Sequence, residues 1–386
     1  MKITIYALHL GFGGVENYIV TLANMLCAKH DVEIISTYKI LEKPAFPLDD
    51  RVQVSYLLEH DRPNQESFKE AVRKKQIFPI LKEGIYSLKV LYLRHKRNKV
   101  SIQNCKSDVI ISTRILHNVL IQKYAPKEIV KITTEHNHPH GNEKYIQQVV
   151  SSLKSFDYFV PISKQLYDLY QNYLKDEDVQ LRHIPFCVNI PKVTSTVSKD
   201  LFQLVNVGRL SSEKAPLALV DLMKVLTKID ERYHMEIFGD GPLFSELKKQ
   251  IEDANLSSNI HLHGYCQMQE IIPYYQQSLA YVMTSYTESF GLVLLEAMSC
   301  ATPCVAFDTA EGANEIITDG MDGYLIQNRD FKIMAQKIDG LNKEESLYHE
   351  MCSQAVLKAQ QYSFVTCQKA WLDLLDEVKE KKGAIG

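Results

Sequence analysis

The sequence predicts an α/β protein built from two Rossmann-like, doubly wound domains. The chain has 386 residues, which is too long for one ordinary core and favours two domains of roughly 150–200 residues each. Short apolar strands alternate with helical patterns along both halves, as expected of mostly parallel sheets covered by helices. The chain also opens with a strand, a glycine turn and a helix, the first unit of such a sheet.

The first half supplies the strands of one predicted sheet. Apolar runs predict strands at 2–8, 32–37, 52–58, 109–113, 130–134 and 158–161. A helix is predicted at 15–28, and a long basic stretch at 64–104 is mostly helical in pattern. These elements define a predicted N-terminal domain at 1–192.

A polar stretch without a helical apolar stripe follows Ile190 and predicts a linker at 193–200. A second alternating series then predicts a domain at 201–364. Its strands are expected at 203–207, 234–238, 259–263, 280–283, 303–307 and 323–326, and its helices at 215–229, 243–254, 268–277 and 291–300. An amphipathic helix at 367–380 lies in the last predicted segment, 365–386.

Composition limits the possible functions and locations. The net charge of −3 argues against a general nucleic-acid binder. The N-terminus lacks the pattern of a signal peptide, and no apolar run approaches the ~18 residues that span a bilayer. Eight cysteines occur without a Cys-x-x-Cys pair, which favours buried thiols in a reducing compartment. A cytoplasmic protein is therefore expected.

The segment Thr287–Met298 contains two glutamates, Glu288 and Glu296, after a strand-like apolar run. A polar turn with a glycine precedes the predicted helix. Such a turn presents backbone N–H groups and the positive end of a helix to an anion. A carboxylate at that mouth, Glu288, can meet a sugar hydroxyl, and a second carboxylate further on, Glu296, can meet another. The residues between them that are candidates for binding are Ser289, Phe290, Gly291 and Leu292.

Three further strand ends carry candidate binding residues. Gly208 ends a strand and is followed in one loop by Arg209 and Lys214, two cations that can neutralise a diphosphate. Solvated loop cations are the alternative. The turns 238–242 and 263–266 also follow strands, and for each a purely structural turn is the alternative.

The first glycine turn, Gly11-Phe-Gly-Gly-Val-Glu16, permits a tight turn and close approach of the backbone to a ligand. Glu16 stands where a dinucleotide fingerprint requires glycine, which argues against a nicotinamide cofactor. A turn with only a structural role remains the alternative.

Three histidines, His136, His138 and His140, alternate after the strand at 130–134. Alternation suggests a zinc site, but Pro139 interrupts the strand and no fourth ligand stands nearby in sequence. A plain polar loop is another alternative. The acidic tripeptide 176–178 fits a loose metal-binding pattern but is expected to be a solvated helix end.

Taken together, these motifs resemble family 4 of the retaining glycosyltransferases (glycosyl transferases group 1). The resemblance covers nearly all of 200–330 and scattered points of 1–165. It implies the GT-B fold, with two Rossmann-like domains facing each other across a cleft and the C-terminal helix crossing back to the first domain. One departure is Asn137, where many members carry Asp after the histidine.

The resemblance also implies roles for individual residues. Those assigned to catalysis are His136, Glu288, Arg209 and Lys214. Those assigned to the donor are Gly13, Gly14, Gly208, Gly264, Tyr265, Cys266, Ser289, Phe290, Gly291, Leu292 and Glu296. Glu16 is assigned to the acceptor, and no metal or cofactor is expected.

The implied activity is transfer of a hexose or N-acetylhexosamine from a nucleotide-sugar, with a UDP-sugar favoured, to a glycan or lipid-linked acceptor. Assembly of cell-surface polysaccharide or glycolipid would be the setting. A nucleotide-sugar epimerase, a glycan phosphorylase of the same fold and a non-catalytic sugar- or lipid-binding partner subunit are the alternatives.

The segment 69–99 is strongly basic, with ten Lys or Arg against two Glu. Apolar residues are interleaved with the cations, as in helices that lie on anionic membranes. This pattern predicts peripheral attachment to the inner face of the cell membrane. Packing of the apolar residues on the first domain, with the cations facing water, is the alternative.

Overall fold

A computed structural model of the protein describes residues 1–62, 64–74, 76–187, 198–288 and 290–385. The chain forms two compact units. The first comprises Met1–Ile184 and Gln368–Gly386, and the second comprises Pro185–Cys367. The second unit begins before the predicted boundary at 192, and Phe186 already packs there against Phe290, with ring centroids 6.2 Å apart.

The first unit contains a parallel sheet of seven strands in the order β3-β2-β1-β4-β5-β6-β7. The strands are β1 Lys2–Ala7, β2 Asp31–Tyr38, β3 Gln53–Leu58, β4 Val109–Ser112, β5 Val130–Glu135, β6 Tyr158–Pro161 and β7 Gln180–Leu181. The helices are α1 Gly14–Leu26, α2 Gln65–Arg73, α3 Ile77–Gln103, α4 Ile115–Tyr124, α5 Glu143–Ser151 and α6 Lys164–Tyr173. The central strands β1 and β4 are almost wholly buried, which explains why most of their side chains are apolar.

The second unit contains a parallel sheet of six strands in the order β10-β9-β8-β11-β12-β13. The strands are β8 Asp200–Val207, β9 His234–Phe238, β10 Ile260–Gly264, β11 Ser278–Met283, β12 Cys304–Phe307 and β13 Gly323–Ile326. The helices are α7 Leu217–Ile229, α8 Phe244–Asp253, α9 Met268–Gln277, α10 Leu292–Ser299, α11 Glu311–Ile316, α12 Phe331–Lys343 and α13 Glu345–Gln361. Every residue of β11 is buried.

The last helix, α14 Phe364–Ile385, contributes its residues from Gln368 onward to the first unit. There the Gln368 side chain donates a hydrogen bond to the backbone oxygen of Met25 at 2.8 Å, and Trp371 is buried. Arg182, just after β7, pairs with Glu377 of the same helix at 3.1 Å. The helix is therefore part of the first unit's fold.

The α/β prediction with two doubly wound sheets is confirmed. Within the described residues, the structure adds helices that the apolar patterns did not reveal, among them α4, α5, α6, α12 and α13. The predicted linker falls mostly outside the described residues, at 193–197, and its last residue, Asp200, already begins β8. Among the described helices, none has the length and apolar run needed to cross a membrane.

Both sheets reverse strand order at one place, between β1 and β4 in the first unit and between β8 and β11 in the second. In open parallel sheets, ligands bind beyond the carboxyl ends of the strands at such switch points. The loops that follow these four strands are therefore where a site is expected.

Candidate functional site

Three glycine turns lie side by side at the carboxyl edge of the second sheet. The backbone N–H of Gly208 donates to the oxygen of Phe238 at 3.0 Å, and that of Gly239 donates to the oxygen of Gly264 at 2.7 Å. Gly239 has φ +136, and a Cβ there would overlap the backbone oxygen of Gly208. This close approach fixes the loop after β8, which carries the exposed Arg209 at the sheet edge.

The loops after β8 and β11 are joined by an ion pair at the switch point. Lys214 ends a 3-10 turn, Ser212–Lys214, and its Nζ donates to a carboxylate oxygen of Glu288. Both side chains are largely shielded, with 26% and 19% of their surface exposed. The backbone N–H of Tyr286 also donates to the oxygen of Glu213 at 2.8 Å. A lysine ammonium is thereby held at the mouth of the second sheet.

The chain from Glu288 to α10 is fixed by contact with α11. The backbone N–H of Gly312 donates to the oxygen of Glu288 at 2.6 Å. A Cβ at Gly312 would overlap the backbone of Phe290, so only glycine fits there. Gly291 adopts a left-handed conformation, with φ 89, at the N-cap of α10. Gly291 has no side chain that could accept hydrogen bonds from the N–H groups of the first helical turn. Those N–H groups can therefore bind an anion.

Glu296 lies in the second turn of α10 and is half-buried. Burial raises the pKa of its carboxyl to about 7. Near neutral pH this group therefore exchanges between a carboxylate that accepts hydrogen bonds and a carboxyl that also donates one. Either form suits contact with a sugar hydroxyl.

In the first unit, Glu16 is held by an arginine that the sequence did not single out. Glu16 lies in the first turn of α1 and is 4% exposed. Arg114, two residues after the end of β4, donates from Nη2 to Glu16 Oε1 at 2.8 Å, and His9 Nδ1 lies 3.5 Å from the same oxygen. The Glu16 carboxylate folds back so closely that a Cβ on Gly13 would overlap it. The family resemblance assigns Glu16 to the acceptor, and the structure adds that the charge of its carboxylate is balanced by Arg114.

His136 is a buried, neutral imidazole just after β5. Its Nε2 is hydrogen-bonded to Thr134 Oγ1 at 2.7 Å, and its ring packs edge-on against Tyr18 with centroids 4.5 Å apart. Burial, and secondarily the positive charge of Arg114, lower the pKa of His136 to about 3. The side chain therefore offers hydrogen bonding without charge.

The backbone around His136 is held by Glu135, the last residue of β5. One Glu135 carboxylate oxygen accepts the N–H of His136 at 2.9 Å, the N–H of Asn137 at 2.8 Å and the hydroxyl of Tyr145 at 3.1 Å. Burial raises the pKa of this carboxyl, which the three hydrogen bonds partly offset. Glu135 thus fixes the position of the loop that presents His136.

The three alternating histidines do not form one cluster. His136 faces Thr134 and Tyr18, whereas the rings of His138 and His140 lie 4.9 Å from each other. His140 also donates its backbone N–H to His138 Nδ1 at 3.2 Å. A zinc site made by His136, His138 and His140 together is therefore not supported.

Residues 192–358 match the family model "Glycosyl transferases group 1". The matched residues make up most of the second unit, Pro185–Cys367, which we therefore call the group 1 domain. The chain as a whole has the GT-B fold, because it superposes on solved structures of that class over nearly its full length. The superposition on a Staphylococcus aureus TarM variant crystallised with UDP includes 97% of this chain and 99% of TarM. Its TM-score is 0.74, and the two sequences are 16% identical. For Anabaena HepE with UDP and glucose, the TM-score is 0.72 at 17% identity, over 98% of this chain and 100% of HepE.

Several named proteins are similar in sequence. An exopolysaccharide phosphotransferase of Streptomyces coelicolor is 26% identical over 99% of this chain but 41% of its own length. A poly(glycerol-phosphate) alpha-glucosyltransferase of Bacillus subtilis is 29% identical over 64% of this chain and 37% of its own. The GalNAc-alpha-(1->4)-GalNAc-alpha-(1->3)-diNAcBac-PP-undecaprenol alpha-1,4-N-acetyl-D-galactosaminyltransferase of Campylobacter jejuni is 26% identical over 98% of this chain and 99% of its own. The chain thus spans less than half of the first two relatives and nearly all of the third.

The group 1 domain carries most of the predicted donor residues, at its switch point and at the neighbouring strand ends. Gly264, with φ +70, turns the chain after β10, and the Tyr265 side chain is 62% exposed beside Cys266. Leu292 is the first residue of α10. Ser289 lies outside the described residues. In the first unit, Gly13 is the N-cap of α1 and Gly14 is its first residue.

Three residues of the candidate site, Arg114, Glu135 and Tyr145, were not predicted from the sequence. Arg114 and Glu135 both lie at the carboxyl end of a buried strand. That position could have marked them as candidate site residues. Arg114 comes one residue after the predicted strand 109–113, and Glu135 directly follows the predicted strand 130–134. Tyr145 lies on α5, a helix that the apolar pattern did not predict, so nothing in the sequence placed it near Glu135.

Proposed function

We propose that this protein is a retaining, family 4 glycosyltransferase. It would move a hexose or N-acetylhexosamine from a nucleotide-sugar, with a UDP-sugar favoured, to a glycan or lipid-linked acceptor in the assembly of cell-surface polysaccharide or glycolipid. The observation that carries the proposal is the Lys214–Glu288 ion pair at the switch point of a group 1 domain, beside the N-terminus of α10.

The proposed reaction places the departing diphosphate among fixed positive groups. As the bond between the sugar and the diphosphate breaks, negative charge grows on the phosphate oxygens. Arg209, Lys214 and the backbone N–H groups of 290–292 would stabilise that charge more strongly in the transition state than in the bound donor. Removing one such donor typically lowers turnover about a hundredfold or more.

The Lys214–Glu288 contact supports this role because it restrains the ammonium before any ligand arrives. A preorganised cation does not have to be gathered from solvent as the charge develops, so its stabilisation is not offset by reorganisation. Glu288 has a second carboxylate oxygen, and we assign that oxygen to a hydroxyl of the transferred sugar. Glu296 is assigned to the ribose of the donor, and Gly264, Tyr265 and Cys266 to its base.

The first unit is proposed to bind the acceptor near Gly13, Gly14 and Glu16. The Arg114–Glu16 pair supports this assignment because it fixes the turn from which the acceptor would be met. His136 is assigned to the transferred sugar. Its lowered pKa suits that task, since a neutral imidazole hydrogen-bonds to a hydroxyl without adding charge. No metal or cofactor is required in this scheme, because Arg and Lys neutralise the diphosphate.

The acceptor class is suggested by relatives. The names of the similar Bacillus and Campylobacter proteins describe a poly(glycerol-phosphate) and an undecaprenol diphosphate-linked glycan, respectively. Acceptors of both kinds carry phosphate and a sugar or polyol hydroxyl. We therefore propose an acceptor on a phosphate-bearing polymer or lipid, used in the cytoplasm at the inner face of the cell membrane.

The deciding experiment begins with a thermal-shift panel of nucleoside diphosphates. A ligand at 100 times its dissociation constant stabilises the folded state by about 2.7 kcal/mol, which is readily measured. We expect UDP to give the largest shift and Arg209→Ala to lose most of it. The matched control is Arg232→Ala, an exposed arginine of the same unit that pairs with Asp230 at 2.7 Å.

Transfer itself is then measured with the donor selected by the panel. A retaining enzyme gives a product with the anomeric configuration of the donor, and activity should survive addition of EDTA. Conversion of the donor without an acceptor into an epimer, or a requirement for inorganic phosphate, would replace this proposal with the epimerase or phosphorylase alternative. Absence of any nucleotide shift would favour a non-catalytic partner subunit.

A further inference from the structure

Helix α3 carries an apolar surface that the rest of the first unit does not cover. Its inner face is buried in the first unit, and Val90 there packs in a small cluster with Tyr38 and Leu58. On another face, six large apolar side chains are between 58% and 87% exposed: Ile77, Phe78, Leu81, Ile85, Leu88 and Tyr92. We call these six residues the α3 outer row.

The outer row is continuous along the helix. Its members follow one another at steps of three or four residues after Phe78, which places them on one side of an α-helix. From Ile77 to Tyr92 the row extends roughly 22 Å at the rise of ~1.5 Å per residue. An exposed apolar surface of this length, on a helix whose inner face is already packed, indicates an interaction site rather than scattered exposed residues.

Lysines follow one edge of the outer row. Lys82, Lys89 and Lys96 recur every seven residues and are exposed. Lys96 Nζ lies 5.9 Å from the ring centre of Tyr92, and Lys89 is 2.9 Å from Asp61. The stretch 69–99 holds ten Lys or Arg against two Glu, whereas the whole chain has a net charge of −3. Positive charge is therefore concentrated beside the apolar row.

We propose that the α3 outer row is the surface by which this protein docks on an anionic lipid bilayer, with α3 lying in the plane of the interface. The apolar side chains would enter the boundary between headgroups and acyl chains, and the lysines would lie at the phosphate level. A second copy of this chain fits less well, because pairing the row with itself brings two strongly positive segments together. This inference does not depend on the proposed catalytic chemistry.

The test is sedimentation of the full chain with lipid vesicles. The protein should pellet with vesicles of phosphatidylcholine mixed with phosphatidylglycerol and much less with phosphatidylcholine alone. A serine variant of the row, Phe78→Ser with Ile85→Ser and Leu88→Ser, should lower the apparent partition coefficient about tenfold or more, because apolar insertion supplies much of the binding. A charge variant, Lys82→Glu with Lys89→Glu and Lys96→Glu, should remove the preference for phosphatidylglycerol.

The matched control is Leu357→Ser with Val365→Ser, which removes exposed apolar side chains from α13 and α14, where they are 52% and 72% exposed. It should sediment like the unaltered chain. Circular dichroism and thermal unfolding establish that each variant is folded. Because the measurement is lipid binding, its failure would leave the proposed transfer reaction standing.

Two results would overturn the proposal. One is equal sedimentation of the unaltered chain and the folded serine variant, which would show that the outer row does not enter the bilayer. The other is a self-association, measured by analytical ultracentrifugation without lipid, that the serine variant abolishes. That outcome would assign the row to a second copy of the chain.

Discussion

Lys214 and Glu288 are 74 residues apart in sequence and form an ion pair across the switch point of the second sheet. Each belongs to the loop after one of the two central strands, β8 and β11. The contact therefore joins the two loops that we propose hold the diphosphate and the transferred sugar. A cation and a carboxylate already in contact constrain each other's position before a ligand binds.

The ion pair can be tested by a double-mutant cycle. Lys214→Ala and Glu288→Gln should each lower kcat/KM by about tenfold to a hundredfold, because each removes one fixed contact from the donor. The double variant should lose less than the two single losses combined, since the residues act together. Strictly additive losses would show that the two side chains serve independent functions.

The control for this cycle is Lys224→Ala. Lys224 pairs with Asp221 at 3.1 Å on the exposed surface of α7, and such pairs contribute little to stability. Its kcat/KM should match that of the unaltered chain. Thermal unfolding of all four proteins separates lost activity from lost folding.

Glu296 gives a prediction on pH. Its pKa is raised from 4.5 to about 7 in the folded state, so the folded protein binds this proton more tightly than the unfolded chain. The resulting stabilisation is fully present below pH 4.5 and is lost as the pH rises through about 7. Glu296→Gln should remove this loss, so that the free energy of unfolding falls less between pH 5 and pH 8 than in the unaltered chain.

Urea denaturation at a series of pH values measures the effect. Glu246→Gln, on the exposed side of α8, makes the same chemical change away from the site and should leave the pH dependence as it was. If Glu296→Gln and the unaltered chain show parallel curves, the Glu296 carboxyl is not titrating between these pH values.

The close contact between Phe290 and Gly312 predicts that alanine substitutions at Gly312 and at Gly340 change the stability in opposite directions. Gly312→Ala should lower the free energy of unfolding by about 1–3 kcal/mol, because the new Cβ overlaps the backbone of Phe290. The displaced loop also carries Glu288, so nucleotide binding should weaken as well. Gly340→Ala, inside α12 with no atom within 4 Å of the new Cβ, should instead raise stability by about 0.5–1 kcal/mol. Urea unfolding compares the two, and a neutral Gly312→Ala would contradict this account.

Glu135 is predicted to act by positioning His136. Glu135→Leu leaves the N–H groups of His136 and Asn137 without their acceptor, and the buried, unpaired N–H of His136 alone costs about 1–3 kcal/mol. Glu135→Gln keeps an acceptor oxygen, so it should retain most of the stability and turnover. The imidazole proton shifts of His136, measured by NMR, should move in the leucine variant and remain near their original values in the glutamine variant. Loss of turnover without any movement of these shifts would rule out positioning.

Much of the fold followed from local pattern. The apolar strands and the glycine turns at their ends are visible in sequence because parallel strands are buried on both faces and because their ends need special backbone angles. Helices α4 and α13 were missed for a physical reason. The buried face of α4 includes His117 and Asn118, and that of α13 is built partly from Cys352, Ala355 and Ala359, so neither shows a strong apolar stripe.

The sequence predicts the candidate site as a set of strand-end positions, but it does not predict the contacts between those residues. Arg209, Glu288 and His136 were predicted because each follows the end of a predicted strand. In open parallel sheets, ligands bind beyond the carboxyl ends of the strands. The partners could not be found in this way, because Arg114 and Glu16 are 98 residues apart and nothing in the spacing links them. Direct pairing of Lys214 with Glu288 was likewise unforeseen, although both residues were expected at one site.

The first unit is built from two segments that are far apart in sequence, and this affects the order in which the chain folds during synthesis. The second unit is one uninterrupted segment, so it has all its residues as soon as Cys367 has left the ribosome. The first unit must wait until α14 has also been synthesised, because Trp371 and Leu375 of this helix are buried in it. Until then the surface that α14 covers remains open, and a stop codon ahead of α14 would deprive the first unit of buried core residues.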